Sequence, residues 1–311
     1  MAFNFKTFKT RTLTAAVFVV VMLAGLLINN WTFFILFSII HFGCWIEYQK
    51  LVGLIDEDYQ KISQLHKYGI MIVGWCFMMW MTNNAYWVGH VELRGIGWFV
   101  MLVFTILLLA FEIVLRKHPN MKTIGYSLFG LLYISLSWSL MMDLRDTDLN
   151  ALSLNDGVEY IKADNGWSIG WSIPLLVIFS IWINDTLQYI VGSFIGKTPF
   201  SKISPKKTWE GTIGGSVLCI FIIGYLVAPL LIGNKLSTAG QSIKGYHWYL
   251  IALITAVFGT MGDLLESKLK RMAGVKDSGQ IMPGHGGFLD RFDSLLLATP
   301  FVWLYVHLFL K

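Results

Sequence analysis

The chain has 311 residues, of which 55% are hydrophobic and only 14% charged, with a mean hydropathy of +0.60 and a formal charge of +5. A soluble domain dresses its surface with about 25% charged residues, so this composition excludes a large water-soluble helical core and points to a polytopic membrane protein. The apolar runs are continuous rather than alternating, which argues against a transmembrane barrel; the basic excess suits a protein beside anionic lipid and does not by itself indicate nucleic acid.

The N-terminus, MAFNFKTFKTR, is basic and precedes an apolar run, Leu13–Ile28. No small-x-small cleavage pattern follows, so the run reads as a retained first helix rather than a signal peptide. Further spans are expected at Trp31–Trp45, Tyr68–Trp87, Ile96–Leu115, Ile124–Met141, Ser168–Ile190, Ile213–Ile232, Trp248–Leu265 and Phe288–Leu310, nine in all. The first two are close enough for a tight helical hairpin. With the N-terminus in the cytoplasm, 18 of the 24 Lys and Arg residues fall on the cytoplasmic side, the asymmetry that sets orientation in membrane proteins. The expected fold is therefore all-α and polytopic, with about nine transmembrane helices, a cytoplasmic N-terminus and an outside C-terminus. It divides into N-terminal membrane helices (residues 1–142, about five spans), a polar outside loop (143–167) and a C-terminal membrane domain (168–311, about four spans). The last carries cytoplasmic loops at 193–212 and 267–287.

The outside loop holds Asp143, Asp146, Asp148, Asp156, Glu159 and Asp164, but their spacing fits no EF-hand and reads as a solvated loop. The cysteines, Cys44, Cys76 and Cys219, lie in separate apolar runs without ligand-like spacing and read as buried thiols. Met and aromatic residues such as Trp75, Phe77, Met78, Met79 and Trp80 read as packing and lipid contact.

Chemistry concentrates in the C-terminal half. Asp185 lies within the sixth span, with Tyr189 and Gly192 on its face at i+4 and i+7. An ionisable group at that depth faces a polar cavity or bonds a neighbouring helix. Gly192–Thr198, GSFIGKT, has three residues between its glycines where a phosphate-binding P-loop needs four, so Gly192 and Gly196 read as helix-end packing. Ser204–Gly211, SPKKTWEG, supplies Ser204, Lys206, Lys207 and Thr208 after a helix-stopping Pro205. It reads either as a turn that wraps phosphate oxygens or as a basic cytoplasmic loop.

The densest stretch is Gly262–Asp293, GDLLESKLKRMAGVKDSGQIMPGHGGFLDRFD. Asp263 and Glu266 stand at i, i+3 near the cytoplasmic end of the eighth span, with Lys270 at i+4 from Glu266. Asp290 and Asp293 stand at i, i+3 at the start of the ninth, where carboxylates also favour the helix dipole. Oxygen-only ligands suit Mg2+, the usual partner of phosphate substrates. His285, set among glycines, reads as an acid or base or as a loop anchor.

Ser267, Lys270, Arg271, Lys276, Asp277, His285, Gly286, Gly287, Asp290, Arg291 and Asp293 together resemble the signature of the phosphatidate cytidylyltransferases, or CDP-diacylglycerol synthases. The upstream SPKKTWEG also resembles that family's loop. Met282, before the proline, and Gln188, before Tyr189, depart mildly from its pattern. The resemblance covers the C-terminal third to half of the chain and implies a nucleotidyltransferase that converts CTP and phosphatidate to CDP-diacylglycerol and pyrophosphate in phospholipid biosynthesis. It implies that Asp263 and Asp290 bind a metal pair, Mg2+ with a monovalent cation such as K+. Resemblance and residue chemistry together assign catalysis to Asp263, Asp290, Lys207, Lys270, Arg271 and His285, with Glu266 and Asp293 as further metal ligands. They assign substrate binding to Asp185, Ser204, Lys206, Lys207, Thr208, Glu210, Lys276, Asp277 and Arg291. The expected setting is the inner (cytoplasmic) membrane with the site on its cytoplasmic side and no nucleic-acid partner. The small residues Gly211 and Gly215 admit a homodimer. Two other readings stay open: a CTP-dependent enzyme acting on another lipid phosphate or on a polyprenol, and an ion-coupled transporter. A transporter would carry its acids at the membrane midplane and show an inverted repeat, which is not visible.

Overall fold

The structure, a computed structural model, describes residues 5–114, 120–146, 171–232, 245–280 and 286–310. Almost all of it is helix: α1 (Phe5–Leu27), α2 (Asn30–Ile55), α3 (Glu57–Gln60), α4 (Gln64–Trp80), α5 (Leu93–Val114), α6 (Met121–Gly130), α7 (Leu136–Asp146), α8 (Ser172–Ile195), α9 (Trp209–Phe221), α10 (Ala228–Ile232), α11 (Tyr246–Met272) and α12 (Leu289–Phe309). π-helical turns join α6 to α7 (Leu131–Ser135) and α9 to α10 (Ile222–Val227), so each pair forms one continuous rod. A two-stranded hairpin, β1 (Trp87–Val88) and β2 (Val91–Glu92), precedes α5 and turns at Gly89, whose φ of +63° favours glycine.

Among the described residues seven helices are long and apolar enough to cross a membrane: α2, α5, the α6–α7 rod, α8, the α9–α10 rod, α11 and α12. The chain is thus a multi-pass helical membrane protein. The first and third expected spans correspond to α1, whose apolar stretch is Thr12–Leu27, and to α4, of 17 residues; both apolar stretches are shorter than those seven. Helices α2 and α11 run well past their expected ends, to Ile55 and Met272, because polar residues continue a helix once their charges find partners. Most of the expected outside loop, residues 147–170, lies outside the described residues.

The chain forms two compact units, one of residues 1–139 and 268–292 and one of residues 140–267 and 293–311. In the first unit α2 is the central helix. It starts at a capping box in which Asn29 accepts from Thr32 N at 2.8 Å and donates its own N–H to Thr32 Oγ1 at 3.1 Å, directly after α1. Its buried face carries Phe33, Phe37, Cys44, Trp45, Tyr48 and Leu51. Lipid tails are as apolar as these side chains, so close packing and interhelical hydrogen bonds hold the unit together rather than escape from water. Trp45 Nε1 donates to Ser135 Oγ at 2.9 Å, His41 Nε2 lies 3.0 Å from the same hydroxyl, and Tyr48 donates to the Tyr126 carbonyl at 2.7 Å.

In the second unit α8 and α9 pack closely. A Cβ added to Gly211 would meet Gly192 Cα at 2.7 Å, and one on Gly215 would meet Gln188 Cα at 2.6 Å. The small-residue face expected to admit a second copy is thus already filled by α8. Gln188 Nε2 donates to Thr260 Oγ1 of α11 at 2.9 Å, and Ser216 Oγ donates to Asn184 Oδ1 at 3.1 Å. Within this unit α11 and α12 pack through the stacked rings of Phe258 and Phe301, with centroids 3.5 Å apart. All three cysteines are buried and free.

Candidate active site

Each unit carries a group of charged side chains, drawn from the residues expected in the site, at helix ends. In the second unit α11 presents Asp263 and Glu266 three residues apart, and Asp293 of α12 joins them. One ligand oxygen from each lies within 4.8 Å of the others. The approach depends on Gly262, where a Cβ would stand 2.5 Å from the Asp293 carbonyl oxygen. Glu266 and Asp293 are buried. Three carboxylates so close repel one another and have lost much of their hydration, so the group calls for positive charge. Lys207 supplies part of it through an ion pair with Asp263, and Ser267 Oγ donates to the other Asp263 oxygen at 3.3 Å. The donor set is all oxygen and anionic, which fits a hard cation such as Mg2+.

Lys207 is delivered by the loop between α8 and α9. Gly196 caps α8, and the chain then folds into an antiparallel bridge between Pro199 and Thr208. Phe200 N bonds the Lys207 carbonyl at 2.8 Å, and Lys207 N bonds the Ser204 carbonyl at 3.1 Å. The Glu210 carboxylate accepts from Lys197 N at 3.1 Å, Thr198 N at 3.1 Å and Thr198 Oγ1 at 2.8 Å. Thr208 caps α9 by accepting from Gly211 N at 3.1 Å. Thr208 and Glu210 therefore direct polar atoms to the loop's own backbone, while Lys207 reaches the acid group. Ser204 is half-buried and Lys206 exposed on the same loop.

In the first unit Asp290 lies in the first turn of α12. Its Oδ2 accepts from Ser278 N and Gly287 N and lies beside Ser278 Oγ, each at 2.9 Å, and its Oδ1 pairs with Lys270 Nζ at 2.6 Å. Gly286, at φ +83°, leaves room for the Asp290 carboxylate. Lys270 is positioned by the last turn of α11. That helix ends at Gly274, with φ +69°, after which Val275 N bonds back to the Lys270 carbonyl at 3.0 Å.

The same loop holds an acid that sequence reasoning missed. Glu47 of α2, only 4% exposed, accepts from Phe288 N at 2.9 Å, Leu289 N at 2.8 Å and Ser278 Oγ at 2.7 Å. The available signal was a lone carboxylate inside the aromatic run Trp45–Tyr48; ending the second span at Trp45 put Glu47 in a solvated loop instead.

The expected residues are thus brought together in part. Asp263, Glu266, Asp293 and Lys207 group in one unit, and Asp290 and Lys270 in the other. Arg271, Lys276, Asp277 and Arg291 are exposed, and His285 lies outside the described residues. Asp185 is exposed on α8, whose buried polar groups include its neighbours Asn184 and Gln188.

A model of the cytidylyltransferase family matches residues 9–309. The chain is similar to the phosphatidate cytidylyltransferase of Bacillus subtilis strain 168, with 34% identity over 236 residues, covering 75% of this chain and 77% of that protein. It is similar to the enzyme of the same name from Staphylococcus saprophyticus, with 28% identity over 94% of this chain and 96% of that one. It is also similar to phosphatidate cytidylyltransferase 4, chloroplastic, of Arabidopsis thaliana, with 35% identity over 64% of this chain. The chain spans about half the length of that plant relative, 50%.

Proposed function

Because the chain belongs to the cytidylyltransferase family, we propose that it transfers the cytidylyl group of CTP to the phosphate of phosphatidate, giving CDP-diacylglycerol and pyrophosphate. The observation that carries this reading is the ion pair between Lys207 of the SPKKTWEG loop and Asp263 of the acid group. It joins a basic turn to an oxygen-rich cluster, the combination that phosphate substrates need. The relatives named phosphatidate cytidylyltransferase supply the substrate class.

In this reaction a phosphatidate oxygen attacks the α-phosphorus of CTP, and the bond from that phosphorus to the bridging oxygen of the β-phosphate breaks. Pyrophosphate leaves with the electron pair. The nucleophile is already anionic, so the barrier lies in bringing two polyanions together and in stabilising the leaving group. Lys207 and Lys270 counter that charge, while the hydrogen bonds of Glu210 and Thr208 hold the Lys207 loop in shape. Asp263, Glu266 and Asp293 would hold Mg2+, which when bound supplies charge neutralisation to phosphate oxygens. The resemblance further proposes a second, monovalent cation such as K+, and substrate contacts by Arg271, Lys276, Asp277, Arg291 and, as acid, base or anchor, His285.

The proposed setting is nine spans with the N-terminus and both charged loops on the cytoplasmic side of the inner membrane, where CTP is available and the lipid enters from the bilayer. The test is pyrophosphate release from labelled CTP by purified protein in detergent. Release should require phosphatidate, stop with EDTA and return with Mg2+. Release indifferent to phosphatidate, or none, would overturn the reading. Replacing K+ by choline tests the second cation, whose role predicts a slower rate.

A further inference from the structure

We propose that Glu47 is a positioning residue for this transfer: it accepts the Ser278 hydroxyl proton and so fixes the serine and the loop that orient the Asp290 carboxylate. The proposal rests on the reading above for what Asp290 does, and on geometry alone for how Glu47 reaches it.

Three contacts fill the Glu47 carboxylate. Oε1 takes Phe288 N, and Oε2 takes Leu289 N and Ser278 Oγ. The loop is shaped around it, because a Cβ on Gly279 or Gly287 would run into the Glu47 carboxylate. A carboxylate is kept in such a place only where fixed donors replace its water. Capping α12 accounts for the two backbone contacts but not for the third.

That third contact links two acids through one hydroxyl. Ser278 Oγ lies 2.7 Å from Glu47 Oε2 and 2.9 Å from Asp290 Oδ2. A serine hydroxyl has a single proton to donate, so only one of the carboxylates receives it. Glu47 is the nearer, and Asp290 Oδ2 also has Ser278 N and Gly287 N. With the proton directed to Glu47, Ser278 is held in one orientation, and Ser278 N and Gly287 N orient Asp290 for its ion pair with Lys270. If Glu47 were an amide, its NH2 would donate to the serine oxygen and turn the proton onto Asp290, changing the set of donors that orients Oδ2. The effect on Asp290 would pass through Ser278.

The test compares wild type with Glu47→Gln, Ser278→Ala and the double variant. Partners of this kind, one step removed from the reacting groups, typically change activity by about 10–100-fold. The expected result is a loss of about tenfold or more in kcat for Glu47→Gln with KM for CTP little changed, and a measurable loss for Ser278→Ala. The double variant should be no slower than Glu47→Gln alone. A residue that merely stabilised the fold would instead multiply the two losses. Amide exchange at Phe288 and Leu289, measured without substrate or metal, should quicken in Glu47→Gln while α4 and α5 exchange as in wild type. Glu47→Gln within twofold of wild type, or multiplied losses, would overturn the proposal. Should Glu47→Gln fail to fold, Ser278→Ala decides alone: a wild-type kcat sinks the relay. A wild type that releases no pyrophosphate refutes the functional reading instead, and the exchange result still judges the Glu47 contact.

Discussion

At the scale of single residues the acids of the C-terminal half pose the question of what balances their charge. Asp263 and Glu266 lie at helical spacing in an apolar setting, and charges there need a reason. The Lys207–Asp263 ion pair gives one test of that reason. Lys207→Ala and Asp263→Asn should each lower kcat/KM by about 10²–10³, the range for removing one preorganised charge partner. Lys61→Ala, in an exposed pair with Glu57, should leave the rate unchanged. Pyrophosphate release measures all three; near-normal rates for the first two would remove the acid group from the mechanism. Glu210 shows the opposite lesson. Its place in SPKKTWEG suggested substrate binding, yet its oxygens accept from Lys197 and Thr198 within the loop. Which donors a carboxylate meets is a property of the folded loop and not of its motif.

At the scale of elements, helix existence was legible and helix length was not. The spans at α2 and α11 were cut short where charges begin, yet α2 continues through Glu47 to Ile55. At its end Asp56 pairs with Lys122 at 2.5 Å, and the Lys122 hydrogen bond holds the Asp56 carboxyl below its ordinary 3.8. A carboxyl with a lowered folded pKa contributes stability above its unfolded value and loses it as pH falls through the folded one. Melting in detergent should therefore drop below pH ~4, and less steeply in Lys122→Ala than in wild type; equal acid sensitivity would discount the pair. The α8–α9 contact makes a second prediction. Gly215→Leu forces a side chain into Gln188 and should destabilise the protein by about 1–3 kcal/mol, as overpacking does, read as faster thermal inactivation. An undisturbed Gly215→Leu variant would mean that this face is open after all.

For the molecule as a whole, the distribution of Lys and Arg predicts orientation. A cysteine placed at Val88, in the hairpin before α5, should react with an impermeant maleimide from outside intact cells. One at Lys206 should react only after permeabilisation. The native cysteines are buried and stay silent. Reversed labelling would overturn the cytoplasmic placement of the charged loops.

The sequence by itself determined what depends on local composition and spacing. Apolar runs made the chain a helical membrane protein, and helical spacing put Asp263 with Glu266, and Asp290 with Asp293, at the ends of two helices. Only the tertiary structure decided which of these meet. It put Asp293 with Asp263 and Glu266 in one group and Asp290 with Lys270 and Ser278 in another. It also turned Glu47, 231 residues from Ser278 in the chain, into the acid around which the signature loop is folded. The reason is physical. Helical periodicity reports neighbours one turn apart, whereas a buried carboxylate is stabilised by donors from wherever the chain returns.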